Sequence, residues 1–245
     1  LKTTAVKDGT GYVINGQKSV VIGAPWATHL IVTARTGGGQ RDAQGVSVFL
    51  VDKTAKGVTT RDYPTVDGQR ASEVTFENVS VGVDALIGAE GHGLPLVEKV
   101  MDEAIAATCA EACGVLRRLQ EGTVEYTRTR KQFGAPISSF QVLQHRMVDM
   151  FIQLEQSISM TYMANIHLGD EAEVRAKAVS AAKVQIGKAC KFVGQNAIQL
   201  HGGMGMTDEM AIGHYFKRAT MIEGVFGSTD HHLARYEALS FGKAA

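Results

Sequence analysis

Cysteine is scarce in this 245-residue chain: there are three, an odd number, and Cys109 and Cys113 stand four apart in a helical pattern. That argues against a disulfide framework or a zinc site and suits reduced, packed thiols. Net charge is lacking too, because 25 Lys+Arg are balanced by 25 Asp+Glu. Without a basic field there is no electrostatic case for a phosphate backbone or an anionic bilayer surface, so neither nucleic acid nor membrane is expected as a partner. No apolar run approaches the roughly 20 residues that span a bilayer, and Leu1-Lys2-Thr3-Thr4 does not read as the start of a signal peptide. A cytoplasmic location is the expectation. Prolines number only four while 44% of residues are apolar, which is enough to bury one large core or two modest ones.

What is present changes character near residue 90. Before it, short β-branched runs alternate with Gly, Asp and Lys clusters. Tyr12-Val13-Ile14, Asn15-Gly16 and Ser19-Val20-Val21-Ile22 read as a hairpin, since Asn-Gly adopts the positive φ angles of a tight reversal. Leu30 to Ala34, Val46 to Val51, Gly57 to Thr60 and Val74 to Glu77 continue the series, which suggests a compact antiparallel sheet or barrel. After Gly88-Ala89-Glu90-Gly91-His92-Gly93 the apolar residues recur at three and four, and helices take over. The first should run from about Leu94 to Arg130. Ser138 and Ser139 can cap a second that carries Phe140, Leu143, Met147, Met150, Phe151, Leu154 and Ile158 on a broad face. A third is expected from about Ala172 to Leu200, with Val174, Ala178 and Ile186 inward, and shorter ones near Asp208 to Ile222 and Thr229 to Leu239. The fold class is α+β: a β domain over 1–88, then an antiparallel helical bundle over 89–245.

Within the bundle, Arg130-Lys131-Gln132-Phe133-Gly134-Ala135-Pro136 places an arginine at a helix end beside a glycine turn. Its fork of donors matches phosphate oxygens, yet an arginine that simply meets the helix dipole needs no ligand. Gln199-Leu200-His201-Gly202-Gly203-Met204-Gly205 is a second glycine cluster, where backbone amides could meet a ligand or the glycines could merely end a helix. His231 and His232 point apart on a helix, and no Glu or Cys at ligand spacing completes a metal site. No metal is expected. Trp26 and the nine methionines are assigned to core or pocket lining.

Taken in order, these stretches resemble the acyl-CoA dehydrogenases along the whole chain. Gly11 to Lys18 is similar to that family's middle-domain hairpin, Gly45 to Val51 to its next core strands, and Leu86 to Gly93 to its joint into the helical domain. Arg130 to Gln141 and Gln199 to Gly205 resemble its most specific signatures. The resemblance implies a β-barrel-like middle domain followed by a four-helix-bundle C-terminal domain, with the family's N-terminal helical domain absent from this chain. It implies FAD as cofactor and α,β-dehydrogenation of an acyl-CoA thioester to the 2-enoyl-CoA. By the same resemblance Arg130, Gln132, Phe133, Gln199, Gly202, Gly203, Ser228 and Asp230 are cofactor-binding positions, several of them reaching the FAD of a neighbouring subunit. It also implies a homodimer, a tetramer or a hetero-oligomer with a second acyl-CoA dehydrogenase subunit, with electron-transfer flavoprotein as acceptor by analogy.

The chain also departs from the family. The base is ordinarily a Glu directly before Gly-Thr; gap-free counting puts that pair at Gly227-Ser228 and leaves Phe226 at the base position. Glu223 would serve only if three residues were deleted from a helix, which rotates the downstream segment by most of a turn. The alternative family location falls at Ala104, beside Glu103, whose simpler reading is a solvated first-turn carboxylate. The catalytic residue is therefore unknown on sequence grounds. Where the family often has aromatic-Ile-Thr against the flavin ring, this chain has Val20-Val21-Ile22. Phe226 to Tyr236 and Thr108 to Gly114 are similar to the pimeloyl-CoA dehydrogenase small-subunit type, related to branches acting on dicarboxylate or sterol side-chain thioesters. A base-less scaffold subunit that completes a catalytic partner's FAD site is the second reading.

Overall fold

The computed structural model describes residues 1–242, so the last three positions of the expected helical domain lie outside the described residues. Two compact units are present, Leu1–Lys99 and the chain from Val100 onward.

The first unit is a seven-stranded sheet: β1 (Thr4–Asp8), β2 (Gly11–Ile22), β3 (His29–Arg35), β4 (Val46–Asp52), β5 (Val58–Pro64), β6 (Arg70–Gly82) and β7 (Leu86–Ile87), in the order β5-β6-β2-β1-β3-β4-β7. All pairings are antiparallel except the single Thr4–Arg35 register between β1 and β3. Alternation supplies the core: Ile14, Val32, Phe49, Val51, Val74, Phe76 and Val79 are buried, and Tyr12 meets Phe49 edge-on at 5.0 Å.

The expected hairpin at Asn15-Gly16 is corrected. Strand β2 runs straight through, and the reversal lies at Gly9-Thr10, between Asp8 and its register partner Gly11. The 13-residue β6 flanks β2 along most of its length and supplies partners that a reversal would forfeit. Asn15 instead pins a bulge, its amide donating to Asn78 Oδ1 at 3.2 Å while its Oδ1 accepts from the Asn78 backbone at 2.8 Å. Of the two places expected for Trp26, the core is excluded: it is 66% exposed.

The second unit contains α1 (Leu94–Thr129, whose first turns belong to the first unit), α2 (Gln141–Ile166), α3 (Ala172–His201), α4 (Ala211–Gly224) and α5 (Thr229–Phe241). Between α1 and α2 lies a short hairpin of two strands, β8 (Lys131–Gln132) and β9 (Ala135–Pro136). Leu116, Leu119, Met150, Ile186, Val193 and Ile222 are fully buried in one core. Helix α3 packs on α2, α4 and α5, and small residues make this possible. A Cβ on Gly187 would stand 2.1 Å from Thr229 Oγ1, and one on Gly194 2.8 Å from a Phe216 ring carbon.

Three helix details differ from expectation. Neither Ser138 nor Ser139 caps α2; Phe140 occupies that position without a side-chain bond, and Ser139 Oγ donates to the Pro136 carbonyl at 2.7 Å. Val174 and Phe151, expected to face the core, are 44% and 49% exposed. Helix α4 starts at Ala211 because a 3-10 turn over Gly202–Met206 delays it.

Candidate functional site

At the end of α1 the chain makes an unusual reversal. Lys131 pairs with Pro136 and Gln132 with Ala135, leaving Phe133-Gly134 as a two-residue loop with φ of 55° and 81°. Two consecutive positive φ angles are what a tight hairpin of this hand requires, and glycine takes them freely. Phenylalanine does not, and a non-glycine residue held there costs on the order of 1–3 kcal/mol. The strain produces no buried contact: Phe133 is 93% exposed and touches Phe140 only edge-on, at 6.1 Å. Arg130, exposed, closes the hairpin through its carbonyl, which accepts from Ile137 N at 2.9 Å. Among the described residues its guanidinium has no hydrogen bond or ion pair, while the Gln132 amide donates to the neighbouring Lys131 carbonyl.

The second signature lies at the same end of the bundle. One turn before Arg130, Tyr126 stacks on His201 with ring centroids 4.3 Å apart and places its hydroxyl 3.4 Å from the His201 carbonyl. The Gln199 side chain is exposed and without a hydrogen bond among the described residues. Gly202 has φ 57° and ends α3, so the turn itself demands glycine there. Gly203 is different. Its φ is not positive and an added Cβ would meet nothing within 4 Å, so nothing in this chain demands glycine, and its backbone is open to an external group.

Phe226 and Ser228 lie in the turn between α4 and α5, with Glu223 in the last turn of α4 and Asp230 in the first turn of α5. Glu223 is engaged: its Oε1 accepts from the Thr229 backbone at 3.0 Å and so caps α5. Ser228, the N-cap, accepts from His231 N at 3.3 Å, and Asp230 is exposed in the first turn. Phe226 has φ 59° and a 40% exposed side chain. On α1, Glu103 is exposed, while its neighbour Asp102 is buried between Arg175 Nε at 3.2 Å and Arg235 Nη1 at 2.8 Å. Residues 183 and 199 are separated by about 24 Å along the α3 axis at 1.5 Å per residue. Lys183 holds the α4–α5 turn and Gln199 begins the glycine cluster, so no single small group touches both.

In the first unit, Val20 and Ile22, from the segment that departs from the aromatic-Ile-Thr pattern, are exposed. Val20 has φ 53° and donates its backbone N–H to Glu73 Oε1 at 3.3 Å. Lys18 nearby donates to Thr33 Oγ1 at 3.0 Å, and burial lowers its pKa to about 8.

These segments bear on identity. The model of the acyl-CoA dehydrogenase middle domain matches residues 1–79, and that of the C-terminal domain matches residues 91–237. The chain belongs to the acyl-CoA dehydrogenase family. It is 28% identical to the short-chain specific acyl-CoA dehydrogenase of Homo sapiens over 93% of this chain and 56% of that protein. The cyclohexane-1-carbonyl-CoA dehydrogenase of Geobacter metallireducens is 31% identical over 91% of this chain and 59% of its own length. Among solved structures, an FAD complex of PigA superposes with a TM-score of 0.92 at 28% identity, covering 100% of this chain and 64% of that one. The chain thus spans under two thirds of the length of these relatives. Acyl-CoA dehydrogenases bind FAD, and the residue types here suit it: among the described residues the Arg130 guanidinium and the Gln199 amide have no hydrogen bond, the Gly203 backbone is open, and they lie near the helix ends that the Tyr126–His201 stack sets side by side.

Sequence reasoning missed Lys183 and the structural part played by His232. Both are buried, and both are bonded to the α4–α5 turn. A signal existed, since Lys183 interrupts the apolar row Val179, Ile186, Cys190 on α3. Burial drives the His232 pKa down to about 4 and lowers that of Lys183. Cys109 and Cys190 are pushed up to about 12 by burial, which makes them inert packing thiols. No group of three or more metal-ligating side chains occurs among the described residues, and no described helix is long and apolar enough to cross a membrane.

Proposed function

We propose that this chain is part of an enzyme that oxidises an acyl-CoA thioester to the 2-enoyl-CoA, working as one subunit of a flavin-bearing oligomer. The observation that carries the reading is the Tyr126–His201 stack, which sets the end of α1, just before Arg130, beside the end of α3, where Gln199 to Gly203 lie. Arg130 would clamp pyrophosphate oxygens, with Gln132 and Phe133 beside it. Gln199, Gly202 and Gly203 would present an amide and bare backbone to the adenine side. Ser228 and Asp230, against the middle of α3 and well removed from its glycine cluster, would serve a second stretch of cofactor, in keeping with a flavin shared between subunits. FAD, when bound, supplies the acceptor for the hydride that leaves the β carbon as a base takes the α proton.

A second reading has its own support. Glu223 caps Thr229 through Oε1, and Phe226 has no proton-accepting group, so neither of the two base positions beside this turn offers a carboxylate free of a hydrogen bond. The chain would then be a base-less subunit that completes a catalytic partner's site, as in the pimeloyl-CoA dehydrogenase small-subunit type. Substrates of the dicarboxylate or sterol side-chain class, and electron-transfer flavoprotein as acceptor, belong to this reading by analogy. The test is to mix the full-length protein, alone and with a candidate partner subunit, anaerobically with acyl-CoA thioesters. Flavin reduction together with enoyl-CoA formation supports the enzyme; reduction only with the partner present selects the second reading. A protein that takes up no flavin in either state contradicts both.

A further inference from the structure

We infer that Lys183 and His232 are positioning residues that fix the α4–α5 turn from inside the bundle. They would set the wall of the acyl-CoA site through hydrogen bonds to main-chain carbonyls, whatever side chain stands at 226. The inference rests on the proposed function for its functional arm alone. Lys183 has 0% relative exposure, and its ammonium donates to the carbonyls of Ile222 at 2.9 Å, Glu223 at 2.8 Å and Gly227 at 2.9 Å. All three of its protons are used, which is the condition for burying a lysine without losing its charge's solvation outright. Two of the acceptors are among the last carbonyls of α4, which have no intrahelical partner and carry the negative end of the helix dipole. The third lies on the far side of the turn, so one side chain ties its two ends together.

His232 holds the middle. Its Nε2 donates to the Phe226 carbonyl at 3.0 Å, which leaves Nδ1 to accept from the Ser180 hydroxyl at 3.4 Å. Ser180 also receives Arg235 Nη1 at 3.4 Å, and Arg235 is bonded to the buried Asp102. Ser180, Lys183 and Gly187 therefore form one face of α3 shaped to the turn, the glycine clearing room for Thr229. This set of anchors surrounds Phe226, whose left-handed backbone at φ 59° persists only where neighbouring bonds over-determine it. Packing alone would not select a lysine here, because a methionine of similar length would fill the same space.

The experiment is hydrogen exchange on the full-length protein, comparing the parent with Lys183→Met, Lys183→Arg and His232→Gln. It is coupled to a double-mutant cycle with Phe226→Asn, because asparagine tolerates positive φ. Lys183→Met should speed exchange over residues 224–229 by about 10-fold or more while protected amides in the centres of α1 and α2 keep their rates. In the Phe226→Asn background the same substitution should have a smaller effect. On acyl-CoA, Lys183→Met should raise KM several-fold more than it lowers kcat, and Lys183→Arg should restore part of the loss. Unchanged exchange at the turn overturns the inference. So does a uniform rise across the whole bundle, which would mark Lys183 as a general stability residue. Should Lys183→Met not fold, His232→Gln removes a single anchor and is judged by the same two criteria. A protein without turnover sinks the enzyme reading and leaves the exchange result to decide this one.

Discussion

Phe133 holds a strained backbone beneath a side chain that is 93% exposed, a combination expected where a group outside the chain covers the ring. Phe133→Asn should therefore leave thermal stability unchanged or raise it, because asparagine takes positive φ more readily, while lowering flavin retention during dilution. A fall in stability with flavin retention intact would contradict that account. Glu223 leads to a second expectation. Because its carboxylate caps Thr229, Glu223→Gln, which keeps an acceptor oxygen, should leave dehydrogenation by the native assembly nearly unchanged, and so should Glu103→Gln. Loss of a general base costs about 10²- to 10⁴-fold in rate, so stopped-flow flavin reduction separates the outcomes cleanly. His232 gives a pH dependence with a definite sign. Burial holds its folded pKa at about 4, below the ordinary 6.5, so the unfolded chain binds the extra proton between those values. Its contribution is fully present above pH 6.5 and is lost as pH falls towards 4. The melting temperature of His232→Gln should thus vary less between about pH 7 and pH 4.5 than that of the parent, as calorimetry would show.

Among the elements, α3 governs the second unit, and its glycines are its vulnerable points. Gly187→Ala would drive a methyl into Thr229 Oγ1, 2.1 Å away, and push α5 off the Ser180–Lys183 face. Overpacking of this kind typically costs about 1–3 kcal/mol, and urea unfolding should register it. Gly203→Ala, with open space around it, should leave the same unfolding curve unmoved but reduce flavin content. The helices were legible in the sequence because long periodic runs and glycine stops identify them locally, as with Leu94–Thr129 and the end of α3 at Gly202. The Asn15-Gly16 reading failed because tertiary pairing overrode a local turn preference: β6 was available along β2, and Asn78 could take the Asn15 side chain. Of the site, the segments at Arg130 and Gln199 could be read from motif, whereas their approach through Tyr126 and His201 is a packing fact that spacing does not contain. The Lys183 bonds to the α4–α5 turn link residues 39 to 44 positions apart, beyond the reach of any local pattern.

For the molecule as a whole, the bundle leaves apolar surface on α2, with Val142, Val148, Phe151, Ile152, Tyr162 and Ile166 all exposed. No described residue covers this surface, and association is expected to cover it. Sedimentation equilibrium should report a dimer or larger species, and a well-folded monomer would count against the proposed oligomer. The central proposal is that one end of the bundle holds FAD through Arg130, whose guanidinium has no hydrogen bond or ion pair among the described residues. Flavin-to-protein ratio at limiting FAD tests it most directly, measured on the native full-length assembly with and without Arg130→Ala. Loss of a charge-assisted contact worth about 1.5–3 kcal/mol should weaken flavin binding by roughly 10- to 150-fold, with the oligomer and its melting temperature preserved. A ratio unchanged by the substitution would contradict the account.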